Sequence, residues 1–135
     1  MNRRDLLQRG ALAALGMSIL SRRTSAQPAG RAGARVQRYA TLGRTGMRVS
    51  DISFGSSRLG AGEGDTVRHA FDQGINYFDT ADSYRGGQSE TTLGDALRGK
   101  RDRVYIASKT FTSPSDRRDS MMRALEGSLR RLRTD

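Results

Sequence analysis

Cysteine is missing from the 135-residue chain, which excludes a disulfide framework and a thiolate metal site. Long apolar runs are missing as well. The run over residues 11–20 has about half the length that a membrane-spanning helix needs, so no stable membrane span is expected. Aromatic residues make up only 6% of the chain. No basic stretch is interleaved with stacking aromatics as single-strand binders require, so the formal charge of +10 is not read as a nucleic-acid site. Histidine occurs once, at His69, and reads as a partly exposed side chain on a helix. No metal site is expected.

The charge is unevenly spread: residues 1–38 carry +7 and residues 39–135 only +3. The excess belongs to an N-terminal tail. Within it, Asn2-Arg3-Arg4-Asp5-Leu6-Leu7 holds a twin arginine and residues 11–20 form a mild apolar core. Ser21-Arg22-Arg23-Thr24-Ser25-Ala26 then ends in small residues suited to cleavage after Ala26. Residues 1–26 resemble the signal peptides of the twin-arginine export route. That resemblance implies the export machinery as a partner and a periplasmic or otherwise exported bacterial protein, carried across already folded. A disordered basic tail or an amphipathic presequence is the alternative. Residues 27–38, with Pro28, Gly30, Gly33 and no periodicity, read as a linker.

From residue 39 the pattern becomes regular. Tyr39-Ala40-Thr41-Leu42 and Met47-Arg48-Val49 flank the turn signal Gly43-Arg44-Thr45-Gly46, predicting a hairpin. A strand is expected over residues 49–54, ending at Gly55-Ser56-Ser57, where a glycine lets backbone approach a ligand closely. Val67, Ala70 and Phe71 lie at i, i+3, i+4 and predict a helix over residues 65–72. The runs 75–79 and 104–108 are rich in β-branched and aromatic residues and read as buried strands. A helix over 89–98, capped by Gly99, lies between them. Strand, helix, strand implies a parallel sheet. A last helix is expected to start at Ser115 with Asp116 in its first turn, docking on the sheet through Met122, Leu125, Leu129 and Leu132.

Two glycine-rich stretches imitate phosphate loops. Gly60-Ala61-Gly62-Glu63-Gly64 has the wrong spacing and an acid that opposes phosphate, so it reads as a flexible loop. The stretch from Gly94 to Arg101 has arginine where Ser or Thr would hold magnesium, and it leads from a helix into a strand.

Three polar residues sit where the strands end: Asp79 closes one, Tyr84 lies in the loop after it, and Lys109 closes the next. In a parallel barrel, functional groups collect at those ends. The stretches FDTADSY (78–84), QSETTLG (88–94) and ASK (107–109) resemble the aldo-keto reductase family, as do LGRTGMRVS (42–50) and SLRRL (128–132). The resemblance covers about residues 39–135. It implies an α/β fold, the N-terminal part of a TIM (β/α)8 barrel with about three β/α units plus a β-hairpin that plugs its bottom. Residues 39–135 would then be a partial barrel domain of an NAD(P)H-dependent oxidoreductase that reduces aldehyde or ketone carbonyls. NADP(H) is the implied cofactor, with NAD(H) the lesser alternative. By motif match Asp79, Tyr84 and Lys109 take three of four catalytic places. The fourth, a histidine, follows the next strand of the family, beyond Asp135. Gly55, Ser56, Ser57 and Asp79 take the place of cofactor contacts, although Ser56 and Ser57 read equally well as ordinary loop serines.

Carbonyl reduction needs a hydride donor and a proton donor at the developing alkoxide. A tyrosine is a poor acid near neutrality. A lysine cation beside it stabilises tyrosinate, and an aspartate keeps that lysine charged and aimed. Taken singly, Asp79 and Lys109 could be a plain ion pair between strands, and Tyr84 a half-buried loop aromatic. A full barrel needs eight units and about 250 residues, so the chain is expected to be an N-terminal fragment with weak or no turnover alone. The alternative is a non-catalytic remnant or small binding module that dimerises through an open sheet edge.

Overall fold

The computed structural model describes residues 34–111, 113, 115 and 117–135. The signal peptide expected over residues 1–26, most of the linker and Asp116 lie outside the described residues.

Strands β1 (Tyr39–Thr41) and β2 (Arg48–Ser50) form the expected antiparallel hairpin, with Ala40 opposite Val49. Gly43 and Gly46 hold the turn at φ +53° and +74°, backbone that glycine adopts without strain. The strand expected over residues 49–54 is in fact divided. Val49 and Ser50 belong to β2, and a separate strand, β3, occupies Phe54–Gly55. Ser50 makes the break: its hydroxyl donates to the Ile52 carbonyl at 2.6 Å and its N–H to Asn76 Oδ1 at 2.7 Å. Ile52 is left 58% exposed.

β3, β4 (Tyr77–Asp79) and β5 (Tyr105–Ala107) lie side by side in that order, all parallel. Their register puts Gly55, Asp79 and Ala107 in one row at the C-terminal edge. A helix follows each strand: α1 (Gly64–Asp72), α2 (Gln88–Ala96) and α3 (Arg118–Leu132). Val67, Phe78 and Leu93 are wholly buried where these layers meet, ringed by Leu59, Ala70, Ala96, Leu97, Val104 and Leu132. Each fully buried side chain of that kind stabilises by about 1.5–3 kcal/mol. The hairpin is fastened at the opposite end from Asp79, where Asn76 Nδ2 donates to the Arg48 carbonyl at 2.9 Å and Tyr39 Oη to the Gly74 carbonyl at 2.7 Å. The last residues of the expected linker are held there too, Val36 N–H donating to the Gln73 carbonyl at 2.9 Å.

Other boundaries also moved, each for a local reason. The stretch expected to be a flexible loop, residues 60–64, is a fixed turn: the Glu63 carboxylate accepts from Gly60 N–H, and Thr92 Oγ1 donates to the Gly60 carbonyl at 3.0 Å. Phe71 is only half-buried, because its ring lies under the Arg103 guanidinium at 4.8 Å and the Lys100 ammonium at 5.5 Å. α2 ends at Ala96, before a turn that Gly99 completes at φ +73°. α3 starts three residues later than Ser115, since Ser120 takes the capping role: its hydroxyl donates to the Arg117 carbonyl at 2.7 Å and accepts from Arg117 N–H at 3.1 Å.

The apolar stripe of α3 docks only in part. Leu132 is buried, whereas Met122 and Leu125 are 37% and 50% exposed. The C-terminal half packs on α2 at Gly94, and the N-terminal half stands across a groove of about 290 Å³ from residues 108–110. β5 is an edge strand, and among the described residues no further strand lies beside it.

Candidate active site

Asp79, Tyr84 and Lys109 come from three separate places in the chain, and the strand register brings them together. Asp79 is the last residue of β4, and its carbonyl is fixed by Ser56, whose N–H donates at 3.0 Å and whose hydroxyl donates at 2.8 Å. Lys109 lies two residues past β5. Its ammonium donates to Asp79 Oδ1 at 2.9 Å, to Oδ2 at 3.1 Å and to the Thr80 carbonyl at 2.7 Å. Its third neighbour is aromatic: Nζ stands 4.8 Å from the centre of the Tyr84 ring. Tyr84 opens a tight turn, residues 84–87, in which Arg85, Gly86 and Gly87 all have positive φ. That turn folds the loop back over Lys109, and Asp82 N–H ties it down on the Lys109 carbonyl at 3.1 Å.

The electrostatics follow from these contacts. The hydrogen bond that Lys109 donates to Asp79 raises its pKa above the ordinary 10.5, loss of water opposes the shift, and Tyr84 adds to it. Lys109 is therefore a fixed cation across the neutral range. The group stands on an open rim, with the Asp79 and Lys109 side chains 42% and 51% exposed.

The expected cofactor contacts divide. Gly55 and Ser57 are exposed at the same edge. Ser56 is not available: it is 1% exposed, its hydroxyl is spent on the Asp79 carbonyl, and Ser89 Oγ lies 2.9 Å from it. Its side chain supports the backbone of Asp79 instead of facing solvent. His69 is exposed on α1, as its sequence position suggested.

Sequence reading passed over Glu90, although it is wholly buried at the start of α2. Glu90 Oε1 accepts from the Ser108 hydroxyl, and Oε2 accepts from Arg131 at 2.8 Å. A signal was available. Glu90 shares its face of α2 with Leu93, Gly94 and Leu97, and a carboxylate on an apolar face needs a partner.

The aldo/keto reductase family model matches residues 51–135. A probable voltage-gated potassium channel subunit beta of Oryza sativa subsp. japonica is 35% identical over 112 residues, covering 72% of this chain and 34% of that protein. The aldo-keto reductase YhdN of Bacillus subtilis (strain 168) is 36% identical over 115 residues, covering 72% of this chain and 35% of its own. Among solved structures, an aldo/keto reductase from Klebsiella pneumoniae in complex with NADP and acetate superposes with a TM-score of 0.60 at 37% identity, over 65% of this chain and 33% of that one. The chain spans about a third of the length of the curated relatives it matches. With its parallel β/α architecture and a match over residues 51–135, the chain belongs to the aldo/keto reductase family.

Proposed function

We propose that this chain contributes the N-terminal units of a (β/α)8 oxidoreductase that reduces aldehyde or ketone carbonyls with NADP(H). The observation that carries the reading is the Lys109 ammonium, held by Asp79 at 2.9 Å and poised 4.8 Å from the Tyr84 ring at the C-terminal edge of a parallel sheet. In this reading Tyr84 Oη gives its proton to the carbonyl oxygen as negative charge develops there. Lys109 stabilises the phenolate left behind, and Asp79 keeps Lys109 aimed. NADP(H) supplies the hydride when bound. The rim suits the nicotinamide end of that cofactor: a Cβ added to Gly55 would meet nothing within 4 Å, so a flat ring has room beside Asp79. Gly55, Ser57 and Asp79 are the residues that would hold it. His69, on α1, does not take the place of the family's histidine.

A chimera tests this reading, with residues 39–135 replacing the matching segment of the Bacillus subtilis relative. NADPH oxidation with a panel of aldehydes and ketones is the assay. The parent chimera is expected to turn over, and Tyr84→Phe is expected to lower kcat by about 10²–10⁴-fold, the usual contribution of a positioned acid. A folded chimera that oxidises no NADPH with any carbonyl sinks the proposal.

Export rests on residues 1–26, and fractionation of cells making the chain with Arg3 and Arg4 each changed to Lys is its test. Retention of the variant inside with export of the parent is the expected result. A second reading, a small module that pairs through its open sheet edge, is favoured by β5, which has no strand beside it among the described residues, with Phe111, Met121 and Leu125 uncovered nearby in the chain at 85%, 48% and 50% exposure. A defined dimer with no affinity for NADPH would favour it over the first.

A further inference from the structure

The first turn of α2 reaches both strand ends that carry the charged pair. Ser89 Oγ lies 2.6 Å from the Ser56 carbonyl and 2.9 Å from Ser56 Oγ, and Ser56 in turn donates to the Asp79 carbonyl. The next residue, Glu90, reaches the other strand through Ser108, the neighbour of Lys109. Two consecutive residues of one helix thus brace each side of the Asp79–Lys109 contact, Ser89 through Ser56 and Glu90 through the Ser108 side chain.

Glu90 is the costly half of this arrangement. A carboxylate with no solvent exposure needs a counter-charge and filled hydrogen bonds, and Arg131 and Ser108 supply them. Apolar residues of similar volume often replace such a pair with no loss of stability. What the carboxylate adds is direction. The ladder of β5 ends at Ala107; beyond it Asp82 N–H holds the Lys109 carbonyl at 3.1 Å, and Ser108, between the two, has its side chain held by Glu90. A fixed acceptor for the Ser108 hydroxyl constrains the path between those two points.

We propose that Glu90 is a positioning residue for Lys109, acting through Ser108, with Arg131 as its counter-charge. The proposal rests on the reading of Asp79, Tyr84 and Lys109 as a working group. The titratable groups facing Lys109 are Asp79 and Tyr84, while α3 presents Met121, Met122 and Leu125 across the groove.

The chain has two lysines, Lys100 and Lys109, which makes the test direct. In a Lys100→Arg background, ¹⁵N-lysine labelling reports the Lys109 ammonium alone. Ser108→Ala is expected to keep the parent's circular dichroism and to melt somewhat earlier, because Glu90 Oε1 loses its donor while Oε2 retains Arg131. Its Lys109 resonance is expected to move, with the alkaline titration midpoint falling toward that of an ordinary lysine. Ser108→Thr, which keeps the hydroxyl, is expected to restore both. Glu90→Met, which removes the acceptor, should reproduce the shift at some loss of stability. A Lys109 midpoint and resonance unchanged in both Ser108→Ala and Glu90→Met overturn the proposal. Asp79→Asn separates the two levels: if it leaves the midpoint unmoved, the Asp79–Lys109 coupling fails and the active-site reading falls with it.

Discussion

Gly94→Ala measures how closely α2 and α3 meet. A Cβ at position 94 would lie 2.5 Å from the Arg131 carbonyl oxygen, 2.7 Å from the Leu132 carbonyl carbon and 2.8 Å from Leu132 Cα. All three atoms are backbone, so no rotamer change relieves the clash and α3 itself must move. Overpacking of this kind costs about 1–3 kcal/mol, and the absence of a rotamer escape points to the upper end. Alanine returns about 1 kcal/mol as the better helix former. The net expectation is a loss of about 2 kcal/mol, equivalent to a fall in Tm of roughly 10 °C for a unit of this size. Thermal melts followed by circular dichroism read it. Gly127→Ala is the companion, since its Cβ would meet no backbone, only the Arg131 guanidinium at 3.2 Å, which has to give by a few tenths of an ångström while keeping its pair with Glu90. That variant is expected to hold its Tm or gain up to about 1 kcal/mol. A Gly94→Ala protein as stable as the parent would refute the close approach of the two helices.

Arg131→Met should be more damaging than its surface-like position in sequence suggests. It leaves the wholly buried Glu90 without a counter-charge, and breaking such a pair costs about 3–5 kcal/mol, which urea unfolding measures. The Lys109 contact makes stability fall on the alkaline side. Its folded-state pKa is raised above 10.5, so the contribution is whole below 10.5 and is lost as pH climbs through the folded value. Urea midpoints measured across that range should fall more steeply for the parent than for Asp79→Asn; equal slopes would contradict the pairing.

Much of the site was legible because its residues lie at strand ends, where short apolar runs stop at a polar residue. Asp79 and Lys109 each terminate such a run, and parallel pairing of the two runs is enough to make them neighbours. Ser56 was not legible in the same way. Its neighbour Ser57 has the same side chain, and only the non-local contacts with Asp79 and Ser89 decide which of the two turns inward. The division of residues 49–54 has the same origin, since Asn76, far along the chain, takes the Ser50 N–H. Glu90 escaped for another reason. Its place on the apolar face of α2 marks a carboxylate in need of a partner, but nothing local says that the partner is Arg131.

The partners of Glu90 lie 18 and 41 residues downstream of it. That spacing gives the site an order in time. On a chain emerging from the ribosome, α2 is complete long before Ser108, and Ser108 before Arg131. Until the guanidinium arrives, the seat in the apolar layer would hold an uncompensated charge, so α2 has reason to stay loose. On this reasoning the contact between Asp79 and Lys109 is expected to settle only as the last turns of α3 close.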